Sequence, residues 1–430
     1  MGDPPRQPLT LSATGGDRAT AYAMSSKIVR RDGLLLCTWL ESRRQNRWAW
    51  VDPQARRVVG EGPLGGPVRD NHCGTALALG PDGAVHAVTG GHASQMGYCA
   101  LAPGRRDGFT QSQPLPEPGT YPSLVCDAGG TLHLTYRRCH KGTLDYCRRP
   151  AGGTWSTPRV LVRQVKPGYV NWTNALAIGP DGRLHLVFSN TRPQPDGGLY
   201  IGASYLYSTD GGESWRQPGQ AEPVELPASV DALRLIEGPA PDPSRIVPAE
   251  RVAGDGQGPL SVQLHQLNLS NPVAGAAGRP WVVAHNVLAG EADLWCLTDD
   301  TWRAVPLAPA VRECLPGHRI HAQSTLSRRA DGSLEAVLMV APEDSPGWGP
   351  AGTSLVRIRF DDAGAVRSVE PVCPARADMA TWLPSLERWS WRAPLDAPAL
   401  LYTQGLVGSW SPKHNSLIND VETSVFLDLP

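Results

Sequence analysis

Two histidines have types and surroundings suited to proton transfer: His72, in Asp70-Asn71-His72, and His92, in Gly90-Gly91-His92. An imidazole with an ordinary pKa near 6.5 can give or take a proton at neutral pH. Three further histidines, His86, His133 and His185, occupy one equivalent slot in three repeated segments, and that repetition points to packing. His72 and His92 have no counterparts in the other repeats, so the chemistry is expected at these two. A phenol is the third candidate. Tyr136 ends the strand-like run from Leu132 and is followed at once by Arg137-Arg138, and the next hairpin returns through Arg148-Arg149. Cations beside a tyrosine lower its pKa from about 10 and make it a usable base. The following repeat ends comparably, in Phe188-Ser189-Asn190-Thr191-Arg192.

The elements that must position these groups are legible as a repeat. A turn followed by a β-rich apolar run recurs as RRDGLLLCTW from Arg30, GPDGAVHAV from Gly80, DAGGTLHLT from Asp127, GPDGRLHLV from Gly179, GAAGRPWVV from Gly275 and RADGSLEAV from Arg329. A weaker seventh copy begins at Leu395. The turn glycines Gly33, Gly83, Gly130, Gly182, Gly278 and Gly332 are separated by 50, 47, 52, 96 and 54 residues. Asp-Gly before such a run marks a tight hairpin. Four-stranded sheets arranged radially satisfy this pattern, because each packs its faces on its neighbours and closure leaves only short edges. The expectation is an all-β, seven-bladed β-propeller spanning residues 21–430 after an N-terminal tail of residues 1–20. The doubled step implies a long Pro-rich insertion around 216–268, looping over one face, with an eighth blade as the other way to fill it. Ser208-Thr-Asp210-Gly-Gly212-Glu-Ser-Trp215 is a full Asp-box hairpin, with degenerate copies before Trp155 and Trp302. Its logic is structural: Asp caps the turn and Trp is buried between sheets. The run from Val421 to Leu429 is expected to close the ring with the N-terminus.

Composition narrows the function classes. The chain has 430 residues, 46 of them Gly and 41 Pro, with 19% charged and a formal net charge of -1. Basic residues are scattered, which argues against a nucleic-acid or anionic-membrane partner. No run of about 18 apolar residues and no leader-type N-terminus is present, so the expected location is cytoplasmic if the chain is complete. Nine cysteines without CxxC spacing indicate neither a disulfide scaffold nor a zinc ribbon and suggest a reduced compartment. Cys73, Cys139 and Cys147 lie beside the candidate residues, which keeps a structural metal open as an alternative.

These motifs together resemble the BNR-repeat propeller polysaccharide lyases, which include ulvan lyases and rhamnose-glucuronate lyases. The resemblance covers roughly residues 20–430 and is carried by Asn71-His72, Gly91-His92 twenty residues on, Tyr121-Pro122, Tyr136-Arg137 and the Asp-box. It implies a catalytic set of His72, His92, Tyr136 and Arg148, with Asn71, Tyr121, Arg137, Arg149 and Arg192 binding substrate. The chain departs from the family after Tyr136-Arg137, where Arg138-Cys139-His140-Lys141-Gly142 replaces the usual Gly-Ser-Gly. The implied activity is β-elimination on a uronate-containing glycan by a monomer, with no metal or cofactor. Such a reaction removes a weakly acidic proton from carbon 5, so neutralising the carboxylate is its main lever. Tyr136 is the favoured base and acid, with a histidine as the competing base. His72 and Arg148 are expected on the carboxylate. A sialidase-like hydrolase, suggested by the Asp-box and the propeller shape, is a weaker alternative, because the chain has no Arg-Ile-Pro motif. A non-catalytic glycan-binding propeller is the third.

Overall fold

The computed structural model describes residues 7–430 other than 43, 139–141, 164–173, 195–196, 234–235, 237–266, 276–277, 287–288, 344, 346–348, 392–394 and 406–422. Seven antiparallel sheets follow one another along the chain as the blades of a propeller. Their inner strands are Ile28–Arg31, Ala76–Leu79, Thr120–Cys126, Asn174–Ile178, Asn268–Leu269 with Val273–Ala274, His318–Arg328 and Ala380–Leu386. Each repeat turn seen in the sequence joins an inner strand to the next. Its glycine takes positive φ, from 69° at Gly278 to 90° at Gly332. The preceding Asp caps the turn: Asp82, Asp181 and Asp331 each accept from the backbone N–H two residues on, at 2.9, 3.1 and 3.0 Å.

Ring closure follows the expected route, with a shift of boundary. Thr423–Asp428 pairs with Leu400–Gly405 on one side and with Leu9–Gly15 on the other. The N-terminal segment expected as a tail to residue 20 therefore supplies the outermost strand of the seventh blade from Leu9. Most of the expected insertion, residues 237–266, lies outside the described residues. Of its described part, Arg216 bridges back to Tyr207, and Ala228–Ser229 adds in parallel to Arg159–Arg163, the outer strand of the third blade.

The three repeated histidines are packing residues. His86, His133 and His185 face the hydroxyls of Tyr98, Tyr146 and Tyr205 at 2.8, 2.7 and 2.7 Å. Each tyrosine then meets, edge to face, a tryptophan of the next blade: Trp155, Trp215 and Trp302. The Asp-box tryptophan and its degenerate copies thus tie successive blades together. Trp215 is fully buried.

Candidate functional site

The groups of the candidate site come from loops at the mouth where inner strands begin. Arg18 and Tyr22 lie between Leu9–Gly15 and Ile28–Arg31, and Asp70, Asn71 and His72 lie just before Ala76–Leu79. His92 follows Val85–Gly90, and Tyr121 opens the inner strand of the third blade. Backbone strain marks this mouth. Gly90, Gly91, Ala93 and Tyr121 all have positive φ, at 81°, 97°, 51° and 57°. Gly91 has no room for a side chain, since a Cβ there would meet Met96 Cγ at 2.6 Å and the Gly119 carbonyl oxygen at 2.8 Å.

Asp70 organises the centre. Its side chain is 1% exposed, and its Oδ1 accepts from the His72 backbone N–H at 2.9 Å and from His72 Nδ1 at 3.2 Å. Cys73 Sγ donates to the same oxygen at 3.7 Å, while Oδ2 accepts from His92 Nδ1 at 2.5 Å. Burial pushes the carboxyl up, but the two histidine hydrogen bonds outweigh it and hold Asp70 well below the usual carboxylate range. The imidazoles stack, with ring centroids 4.1 Å apart and planes at 21°.

The two rings differ in what faces their far nitrogens. His72 Nε2 accepts from Arg18 Nη1 at 2.7 Å, and the same Nη1 donates to the Tyr22 hydroxyl oxygen at 2.7 Å. Burial, then the Arg18 charge, lower the His72 pKa to about 3, so this imidazole is neutral with its lone pair engaged. His92 is 26% exposed, and no partner of its Nε2 is found among the described residues. With Nδ1 donating to Asp70, Nε2 is the acceptor nitrogen and suits a general base. Around the pair, Tyr22 and Tyr121 meet edge to face at 5.1 Å, and the Arg137 guanidinium lies 4.7 Å above the Tyr121 ring. Arg18 stays cationic: burial lowers its pKa, but Tyr22, Asp17 and Tyr121 raise it further.

His72, His92, Tyr121 and Arg137, all expected at the site, are brought together here. Asn71 is present but 1% exposed, its amide donating to both Asp17 oxygens at 3.1 Å, so it supports the loop and does not face substrate. Tyr136 is 1% exposed within the core between the second and third blades, beside Met96, Leu134 and Cys147. Burial there raises its pKa above the ordinary tyrosine value, the opposite of what a base needs. Arg148 is at the other end of its blade. It pairs with His133, while Arg137 pairs with Thr120, four residues along the strand or about 13 Å. It donates to the Gly211 carbonyl and forms an ion pair with Glu213 of the Asp-box. Arg149, its neighbour, lies over the Tyr98 ring at 4.9 Å. The Arg192 backbone pairs with Leu199, but its side chain lies outside the described residues. Sequence reasoning missed Asp17, Arg18 and Tyr22, which lie in a loop without periodicity. It also passed over Asp70, whose place two residues before His72 was the available signal.

Asp70, His72 and His92 also offer ligand atoms within 4.8 Å of one another, a spacing compatible with a metal ion. The geometry fits a hydrogen-bonded dyad equally well, since both Nδ1 atoms lie at bonding distance from the carboxylate.

A family model described as BNR repeat-containing family member matches residues 13–295. No curated protein matches the chain. Among solved structures, the chain is similar to a PL25 ulvan lyase bound to -[GlcA(1-4)Rha3S]-, with a TM-score of 0.66 and 12% identity over 97% of this chain and 95% of that one. The polysaccharide lyase Uly1 gives a TM-score of 0.58 at 13% identity, covering 98% of both chains. The lectin BP39L from Burkholderia pseudomallei gives 0.54 at 12% identity, over 90% of this chain and 97% of that one. At such identities the likeness is one of fold.

Proposed function

The chain belongs to the BNR repeat-containing family, and on that footing we propose that it is a glycan-active propeller that cleaves a uronate-containing polysaccharide by β-elimination. The observation that carries this is the Asp70–His92 pair, a partly exposed imidazole whose acceptor nitrogen is set by a buried carboxylate. In the proposed reaction His92 Nε2 takes the proton from carbon 5 of the uronate. The electrons of that C–H bond form the C4–C5 double bond, and the bond from carbon 4 to the leaving oxygen breaks. Charge developing on the uronate carboxylate is offset by Arg18 and Arg137, whose positions are fixed before substrate arrives. Tyr22, whose oxygen accepts from Arg18, is the proposed proton donor to the leaving oxygen. The base role expected of Tyr136 thus passes to His92 and its acid role to Tyr22, while the carboxylate role expected of Arg148 passes to Arg18 and Arg137.

Incubation with glucuronate-rhamnose polymers tests the proposal, because elimination leaves an unsaturated uronate end that absorbs ultraviolet light. A broad panel of uronate polymers yielding no such ends removes it. Binding without turnover is the second reading, and a specific feature favours it. Arg18, Tyr22 and Tyr121 are only 5%, 8% and 6% exposed, a narrow approach for a polymer. Saturable binding of the same polymers with no new absorbance would select it.

A further inference from the structure

The opposite mouth of the central channel holds a second cavity, of about 90 Å³, that the proposed reaction does not use. Its walls are the late residues of the inner strands, where they run into the hairpin turns: Leu77 and Leu79, Val125, Ile178 and Val273. Trp389 and Trp391 stand at its rim, edge to face at 4.8 Å. Trp391 Nε1 donates to the Cys126 carbonyl at 2.6 Å, tying the seventh blade to the third.

The charges in this apolar place have one sign. Arg328 and Arg388 line the cavity, and no Asp or Glu does so among the described residues. The Nε atom of each arginine is buried without a hydrogen-bond partner among the described residues. Arg388 is otherwise held by the carbonyls of Ala23 and Met24, and Arg328 by a long 3.5 Å contact to the Ala274 carbonyl. Lys27, 1% exposed and bonded to the Thr75 carbonyl, is close enough to feel the Arg388 charge, and burial first and that charge second hold its pKa well below the ordinary lysine value. The adjacent carboxylate that could have compensated, Glu387, forms its ion pair with Arg30 at 2.7 Å instead. Both guanidinium groups are partly buried against apolar walls with no carboxylate lining them among the described residues, so an anion supplied from outside would meet two like charges that nothing in the cavity balances.

We propose that this cavity binds a small organic monocarboxylate, its carbons against the inner-strand aliphatic side chains and its carboxylate on Arg328 and Arg388. Size sets the class: an apolar cavity of about 150 Å³ takes benzene, so the volume here suits about four heavy atoms, the three carbons of propionate with one carboxylate oxygen. Propionate matches in length and charge.

Titration calorimetry on the full chain, with propionate as probe and 1-propanol and chloride as controls, tests the assignment. Propionate binds one to one, with a Kd of about 1 mM, within the ceiling for so few atoms. Arg328→Gln weakens it about tenfold or more, as expected for a lost charge-assisted bond. Arg388→Gln does the same, but it also frees the Ala23 and Met24 carbonyls, so Arg328→Gln, checked for an unchanged melting temperature, is the deciding variant. Equal affinity for 1-propanol, competition by chloride at similar concentration, unchanged binding in Arg328→Gln, or no saturable heat with propionate would each overturn the proposal. None of these outcomes depends on lyase activity.

Discussion

Asp70→Asn isolates the group on which the proposed chemistry depends. In the native site Oδ1 sits among three donors, the His72 backbone N–H, His72 Nδ1 and Cys73 Sγ, while Oδ2 faces His92 Nδ1 alone. An asparagine keeps its single carbonyl oxygen where the donors are, so its NH2 replaces Oδ2 and points at His92. That ring must then accept at Nδ1 and carry its proton at Nε2, which removes the lone pair facing substrate. His72 keeps its tautomer. Wrong-tautomer substitutions of this kind in an Asp–His pair lower turnover by up to about 10⁴-fold, and a hydrogen bond to a charged group contributes about 1.5–3 kcal/mol to stability. Because the bonds to Oδ1 are retained as neutral ones and the His92 bond is reversed, the variant is expected to fold, with stability lower by about 2–4 kcal/mol. The assay is double: the ultraviolet signal from uronate polymers, and nitrogen NMR of the imidazoles, which reports the tautomer whether or not the substrate is known. A His92 that keeps its proton on Nδ1 in Asp70→Asn, or a variant with native turnover, would refute the reasoning.

Three further outcomes are expected. Tyr22→Phe should lower turnover by about 10²-fold or more, as loss of a general acid does, whereas Tyr136→Phe and Arg148→Ala should leave it within about threefold because neither group faces the imidazoles; matched kinetics on the three variants decide. His72, His185 and His285 are held neutral, first by burial, at about 3, 4 and 4. Their unfolded counterparts, near pKa 6.5, take up protons first as pH falls, so the contribution is intact above pH 6.5 and is lost between about 6.5 and 4. The slope from these three is about 4 kcal/mol per pH unit near pH 5, measurable as urea midpoints across that range; a midpoint flat with pH would contradict it. Trp215→Ala removes a fully buried ring that ties the third and fourth blades through Tyr146, and should cost about 3–5 kcal/mol in denaturant unfolding.

The propeller was legible because its information is local and repeated. Six Asp-Gly-type turns announce their hairpins through the positive φ that glycine accepts, and the Asp-box announces a tryptophan that must be buried. Repetition also sorted the histidines correctly: His86, His133 and His185 are each bonded to a tyrosine in the same way in successive blades. His72 and His92 could be nominated because they broke that repetition.

What the sequence could not supply was direction along a strand and around the ring. Tyr136 and Arg137 are adjacent, yet alternation sends one into the core between blades and the other over Tyr121. Arg148 is near Tyr136 in sequence, yet an antiparallel hairpin returns it to the far end of the blade. Arg18 and Tyr22 lie about fifty residues before His72, in a segment with no pattern, and only closure of the ring through Leu9–Gly15 brings them to it. Composition and spacing therefore determined the toroid and nominated two groups of its candidate site. Which cations and phenols surround those groups was decided by strand pleat, hairpin reversal and ring closure, because contacts between distant residues leave no periodic trace in the chain.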